Sequence, residues 1–470
     1  MPDRLHTYHQ LRTSFPHFIY EGYAHEISGH ILSVTFLFSA GDHYRFKHRL
    51  NIDVGPSANP VVLSPSAESL LFHLGMVEMI SYWKAFCSPV IDIPYFHLSD
   101  DQQQWWKKLF RFGLGEFFYT NGIPVPGPEM LTFRFQDEAA PLPGKGRTDL
   151  KRQRVILPVG GGKDSAVSLE ILREAGRDII PFVVNRRGAT DEVLKAAGHD
   201  PDAAVNIQRT IDPLLLELNE EGFLNGHTPF SAMLAFASAF IAEMMGVQDI
   251  ALSNESSASE PSIPDTEINH QYSKSIQFEK DFRRYMADFL SDEINYFSLL
   301  RPLNELQISA IFSKLEIYHQ VFKSCNVGSK TDIWCGTCPK CLFTYIMLSP
   351  FLSSERLFLI FGKNLFADPN LKATLDALTG ADSVKPFECV GTIDEVNVAL
   401  SRTIDYMLQH QRELPVLLAY YQRLNLYQTY RHQSLQDLLQ HVDADHCLEP
   451  SFERHLRNFM DQISITGDPA

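Results

Sequence analysis

Four short runs rich in apolar and β-branched residues are separated by longer segments of helical periodicity: VILPV (155–159), DIIPFVVN (178–185), AVNIQRTI (204–211) and DIALSN (249–254). Short apolar runs in alternation with helices predict parallel strands covered on both faces. Pro158 and Pro181 fit such strands poorly, because proline has no N–H to give a sheet ladder. Two helices carry their own punctuation. Thr228, Pro229 and Gly246 predict the cap, first turn and end of TPFSAMLAFASAFIAEMMG. Asn304 opens a second, expected to run through LQISAIFSKLEIYHQVF with Ile308, Ile311, Leu315 and Phe322 near one face.

The flanks have a different texture. Residues 1–145 mix aromatic and β-branched runs (HILSVTFLF, HYRFKHRLNI) with the helical stretch SAESLLFHLGMVEMISYWKAF, where Leu70, Leu74, Val77 and Ile80 lie near helical spacing. A proline- and glycine-rich segment, PLPGKGRTDLKRQR at 141–154, marks a boundary. Beyond about residue 350 the pattern is mainly helical and carries no readable motif. The organisation expected is an N-terminal α+β domain over 1–145, a parallel-sheet α/β domain over 150–350 and a helical region over 351–470.

Composition narrows the classes. Among 470 residues, 44% are hydrophobic and 21% charged, which is ordinary globular usage. No run approaches the ~18 apolar residues that span a bilayer. The opening MPDRLHTYHQLRTSFPHF has no apolar core of a secretory signal. Seven cysteines, four of them within 325–341, do not resemble a disulfide framework, so a cytoplasmic location is expected. The net charge of −16 argues against nucleic acid or an anionic membrane as the main partner.

The first candidate chemistry is GGGKDS, which follows the first of the four runs and precedes a helix with Val167, Ile171 and Leu172 inward. Gly160, Gly161 and Gly162 let backbone N–H groups converge on an anion, and the helix terminus adds partial positive charge. Lys163 can neutralise phosphate, Asp164 can hold Mg²⁺ or orient the loop, and Ser165 can donate its hydroxyl. The spacing fits neither the Walker loop nor GxGxxG. It resembles the pyrophosphate loop of the ATP-pyrophosphatase (PP-loop) superfamily, signature SGGxDS, with Gly160 in place of the first serine. That resemblance implies an ATP-binding domain of the PP-loop, HUP-like type.

A second motif is SCNVGSKTDIWCGTCPKC. Cys325, Cys335, Cys338 and Cys341 supply four soft ligands, Gly336 and Pro339 permit the turns, and a structural tetrahedral Zn²⁺ is expected. Redox thiols or buried cysteines are the alternatives. Cys87, Cys389 and Cys447 are expected to serve packing.

Longer phrases carry a narrower resemblance. SYWKAFCSP, GLGEFF, GFLNGHTPFSA, LSNESSASE, NHQYSKS, FEKDFRRY, LLRPLNELQI and FECVGT resemble the UDP-N-acetylmuramoyl-L-alanyl-L-glutamate epimerases, the MurL type, from about residue 15 to about residue 400. The resemblance implies an ATP- and Mg²⁺-dependent inversion of the terminal L-glutamate of UDP-MurNAc-L-Ala-L-Glu. It also implies an acyl-adenylate intermediate, release of AMP and pyrophosphate, and a place in peptidoglycan precursor synthesis.

Within those phrases His227, His270, Tyr272 and Lys274 are the candidates for acid–base work or phosphate contact. Asn254 and Glu255 follow the last apolar run at the end where open α/β sheets bind ligands, and Glu255 is a candidate Mg²⁺ ligand. Arg283, Arg284 and Arg301 are candidates for the UDP diphosphate or the glutamate carboxylate. Glu78, Lys84 and Glu116 fall in the same phrases without an assigned role. The residues alone leave open a PP-loop ligase or nucleobase-modifying synthase, and a non-catalytic ATP-binding sensor.

Overall fold

The computed structural model describes residues 4–55, 63–142, 145, 151–263, 266–382 and 384–463. Its strands are β1 (His17–Ser28), β2 (Ile31–Ala40), β3 (Tyr44–Asp53), β4 (Val90–Ile93), β5 (Phe96–His97), β6 (Thr132–Phe135), β7 (Ala140–Pro141), β8 (Lys151–Pro158), β9 (Asp178–Val184), β10 (Val205–Thr210), β11 (Val247–Leu252) and β12 (Asn295–Ser298). Ten of them make one sheet in the order β12-β11-β8-β9-β10-β3-β2-β1-β4-β6, while β5 pairs with β7. The four apolar runs are thus β8 to β11, parallel to one another and joined by β12.

Side chains alternate across this parallel half. Ile156, Ile180 and Ile207 enter one core, and Val155, Leu157 and Val183 enter the other. Burial on both faces explains why the strands read as unbroken apolar runs. The two prolines are accommodated by position. Pro158 ends β8, and Pro181 precedes Phe182, the first β9 residue paired with β10.

The sheet continues across the stretch read as a boundary. β10 pairs antiparallel with β3, which continues into the β3-β2-β1 meander. Part of that stretch, residues 143–144 and 146–150, lies outside the described residues. The helix Pro65–Phe86 is buried nearly all round, so no single apolar stripe could mark it. Glu78 on this helix meets Arg209 of β10 through bonds of 2.7–2.9 Å, tying the helix to the sheet.

Two helix ends differ from expectation. Thr228 does not cap Phe230–Met245: Pro229 stands at the cap position without a side-chain bond, while Gly246 closes the helix at φ 61° as expected. The helix opened by Asn304 covers Glu305–Lys314 only. A 3-10 turn at Glu316–Tyr318 then directs the Tyr318 hydroxyl to Glu170 and brings Lys323 N to Gly161 O at 2.9 Å. The break therefore lays the cysteine segment against the glycine turn. After residue 350 the described chain is helical, including Ser354–Phe361, Ile393–Gln409 and Pro450–Ile463. No helix among the described residues is long and apolar enough to cross a membrane.

Candidate active site

The glycine turn joins the carboxyl end of β8 to the helix Lys163–Glu174. Gly161 takes φ 81°, and a Cβ there would lie 3.0 Å from Thr190 N, so glycine is required twice over. At Gly160 a Cβ would meet nothing within 4 Å, so the missing first serine leaves open space. The Gly160 carbonyl accepts from Arg187 Nη2 at 2.9 Å, and Ser165 Oγ donates to Gly162 O at 3.0 Å. Val167, Ile171 and Leu172 are buried as expected.

Lys163 turns inward. It is 2% exposed, and its ammonium pairs with Asp164 and with Glu305, the first residue of its helix. The carboxylates of Asp164, Glu255 and Glu305 lie within 4.8 Å of one another. Burial pushes Glu255 and Glu305 up, and neighbouring acids add to the shift. Burial would raise Asp164 too, but the Lys163 and Lys340 ammoniums hold it below the usual range. Three acids crowded with one inward lysine form a donor set of the kind that suits a hard divalent cation.

A second cluster adjoins the first. His227 Nδ1 is 3.5 Å from Glu116 Oε2, and His270 Nδ1 donates to the same oxygen. The two imidazole rings lie 4.5 Å apart. His270 also hydrogen-bonds Cys389, whose Sγ accepts from Lys274 Nζ at 3.1 Å. Lys340 donates to the Cys389 carbonyl. The Lys274 ammonium feels Glu255 and Asp164 as well as the thiol, so it links the two clusters. Cys389 therefore departs from the packing role expected for it.

Charge fixes the protonation states. Burial lowers His227 to about 3, aided by the positive charges of His270, Lys84 and Lys274. His270 would also fall on burial, yet Cys389 and Glu116 raise it to about 9. Burial would raise the Cys389 thiol, but Lys274, His270 and Lys340 bring it to about 5. Near neutral pH the group holds a thiolate, an imidazolium and a neutral imidazole.

Other expected site residues lie elsewhere. The ring of Tyr272 packs with Phe112 and Phe278, outside the histidine–thiol cluster. Arg301, 1% exposed, donates to the Glu255 and Lys274 carbonyls and pairs with Glu279 at 3.2 Å. It supports the site from behind. Arg283 donates to Asn295 Oδ1 at 2.8 Å, Arg284 is exposed, and Asn254 Nδ2 donates to Ser298 Oγ at 3.1 Å. Lys84 donates to Gly226 O beside His227.

The four cysteines of the second motif converge. Sulfur separations are 3.8 Å for Cys325–Cys338, 3.7 Å for Cys335–Cys341 and 3.5 Å for Cys338–Cys341. A tetrahedral site with Zn–S near 2.3 Å has S–S edges of about 3.8 Å, so the donors fit zinc. Backbone N–H groups of Gly328 and Cys335 point at Cys325 Sγ from 3.1 and 3.4 Å, as suits a thiolate.

Comparison with known proteins decides the family. The MurL N-terminal domain model matches residues 9–299, and the MurL C-terminal domain model matches 321–433. The chain belongs to the MurL family. A MurL relative from Xanthomonas oryzae pv. oryzae is 37% identical over 369 residues, 74% of this chain and 80% of the relative. One from Micromonospora is 35% identical over 373 residues, 77% and 81% of the two chains. One from Salinispora tropica is 35% identical over 355 residues, 73% and 76%. All three bear the name UDP-N-acetyl-alpha-D-muramoyl-L-alanyl-L-glutamate epimerase. Both MurL segments contribute to the clusters: Glu116, His227, His270 and Lys274 come from the first, and Lys340 and Cys389 from the second. Glu305 falls between them.

Glu116, Glu305 and Lys340 carried no expected role in the sequence, and Cys389 was expected only to pack. Glu116, Glu305 and Cys389 lie in the family-like phrases GLGEFF, LLRPLNELQI and FECVGT, and Lys340 sits inside the CPKC turn. Those placements were the only signal the sequence held.

Proposed function

We propose that this chain is an ATP- and Mg²⁺-dependent epimerase that inverts the terminal L-glutamate of UDP-MurNAc-L-Ala-L-Glu, releasing AMP and pyrophosphate, for peptidoglycan precursor synthesis in the cytoplasm. The observation that carries this reading is the contiguity of the glycine turn, the three-carboxylate cluster and the histidine–thiol cluster, joined through Lys274, in a chain of the MurL family. The turn and its flanking parallel strands support membership of the PP-loop superfamily with a HUP-like ATP-binding domain. The part before residue 145 would then cover the substrate, since Glu116 reaches the histidines from it.

The substrate explains the need for ATP. Removing the Cα proton beside a free carboxylate would create adjacent negative charges. ATP supplies an acyl adenylate, which removes the carboxylate charge and acidifies Cα–H. Gly160, Gly161, Gly162 and Ser165 would cradle the pyrophosphate, and Asp164, Glu255 and Glu305 would hold Mg²⁺, with Lys163 balancing their charge. His270, protonated near neutral pH, can deliver a proton to Cα, and His227, neutral there, has its ring 4.5 Å away. Cys325, Cys335, Cys338 and Cys341 would hold a zinc with no open position, which gives it a structural role.

The test is incubation of the protein with UDP-MurNAc-L-Ala-L-Glu, ATP and Mg²⁺ in D₂O, followed by mass spectrometry of substrate and nucleotides. One deuterium at glutamate Cα together with AMP is the expected result. AMP without deuterium would instead indicate a ligase or synthase, and neither signal would indicate a nucleotide sensor.

A further inference from the structure

Glu116, His270 and Cys389 form a chain of contacts in which the epimerase reading gives the thiol no part of its own. Glu116 accepts from His270 Nδ1, His270 hydrogen-bonds Cys389, and Lys274 Nζ donates to the sulfur at 3.1 Å. An orienting carboxylate, an imidazole and a thiol in series are the arrangement that activates a nucleophile. Cys389 as a residue is half-buried, and its thiol lies among the polar groups of the second cluster. Lys274 also sees Glu255 and Asp164, which puts the thiol next to the groups proposed to bind ATP and Mg²⁺.

We propose that Cys389 is the catalytic nucleophile of a covalent step, taking the activated glutamyl group from AMP as an enzyme-bound thioester before inversion at Cα. This rests on the adenylation reading above. The Sγ thiolate attacks the α-carbonyl carbon and the C–S bond forms. The bond from that carbon to the phosphate oxygen breaks, and its electron pair leaves with AMP. The Cα proton is lost to a base on one face of the thioester, and the His270 imidazolium delivers a proton to the other face. Water then adds to the carbonyl; one of its two protons replaces the one His270 gave up and the other passes to solvent. The C–S bond breaks with its electron pair on sulfur, and the dipeptide leaves as its carboxylate. No electrons are exchanged with any other group.

The charge environment chooses between two uses of this sulfur. A proton acceptor works best with a pKa near the working pH. A thiolate stabilised to about 5 is a weak base for a carbon acid. It remains a competent nucleophile toward an acyl phosphate and a good leaving group when the thioester hydrolyses.

The experiment uses the full-length protein with ATP, Mg²⁺ and UDP-MurNAc-L-Ala-L-Glu, acid-quenched within milliseconds to seconds and read by intact and peptide mass spectrometry. The expected result is a hydroxylamine-labile adduct on Cys389 with the mass of the substrate less one water. C389S should keep dipeptide-dependent pyrophosphate–ATP exchange within a few-fold, while AMP release and Cα deuteration fall at least about a thousandfold. C447S should behave as wild type. Epimerisation by Cys389→Ala within tenfold of wild type would overturn the proposal. So would a wild-type quench without adduct alongside an inactive Cys389→Ala, because the sulfur would then act on the proton. Failure of wild type to catalyse pyrophosphate exchange would bring down the adenylation reading itself, and the covalent step with it.

Discussion

Lys274 Nζ donates to Cys389 Sγ at 3.1 Å across a separation of 115 residues. That single contact joins the thiol to the carboxylate cluster, and it puts a charge beside the sulfur that burial alone would disfavour. The thiol of Cys389 is held at about 5, against about 9 for a free one, with burial opposing and Lys274 the strongest favourable partner. Alkylation by iodoacetamide, followed at the Cys389 peptide as pH is varied, should show a midpoint near 5. Lys274→Met should move the midpoint upward by at least a unit while His270 remains in place. An unchanged midpoint would show that the ammonium does not set the charge on sulfur.

The glycine turn makes opposite predictions at adjacent positions. Gly161 has φ 81°, and Thr190 N stands only 3.0 Å from where a Cβ would sit, whereas Gly160 faces open space. Gly161→Ala should cost about 1–2 kcal/mol in backbone strain and lower ATP turnover sharply. Gly160→Ser should leave thermal stability unchanged and turnover within a few-fold. Equal losses in the two variants would contradict the geometry.

Sulfur positions near Cys335 predict a bound metal. Elemental analysis of protein purified without chelator should give about one zinc per chain. Cys338→Ser should abolish it and lower the melting temperature, because a zinc held there would tie Cys325 and the helix Pro339–Leu348 into one unit. Full thermal stability in a zinc-free protein would count against a structural ion.

His73 supplies a stability test away from the site. It is fully buried between Trp106 and Phe236, donates from Nδ1 to Ser69 O at 2.6 Å, and accepts the Tyr285 hydroxyl at 2.7 Å. Burial lowers it from 6.5 to about 4. A histidine depressed in the folded state takes up its proton first in the unfolded chain. Stability is therefore complete above pH 6.5 and falls as the pH drops toward 4, by about 3 kcal/mol over that window. Urea unfolding from pH 7 to 4 should show this decline, and His73→Gln should flatten it. A slope identical in the variant would assign the acid sensitivity to other groups.

What the sequence could determine was local. The alternation of apolar runs and helices identified β8 to β11, because burial on both faces leaves an imprint within each strand. The glycine turn followed from residues 160–165 alone, and the sulfur cluster from spacings of a few residues. Family-like phrases pointed to His227, His270 and Lys274, all of which the structure brings to the second cluster. Only the tertiary structure decided that the sheet crosses from β10 to β3, that Arg301 braces the site from behind, and that Glu305 meets Lys163. It also decided what Cys389 is. A cysteine in sequence carries no mark of its charge state, which comes from His270 and Lys274 more than a hundred residues away. Electrostatic neighbours of that kind exist only once packing has removed water between distant segments and strengthened the fields that act across the gap.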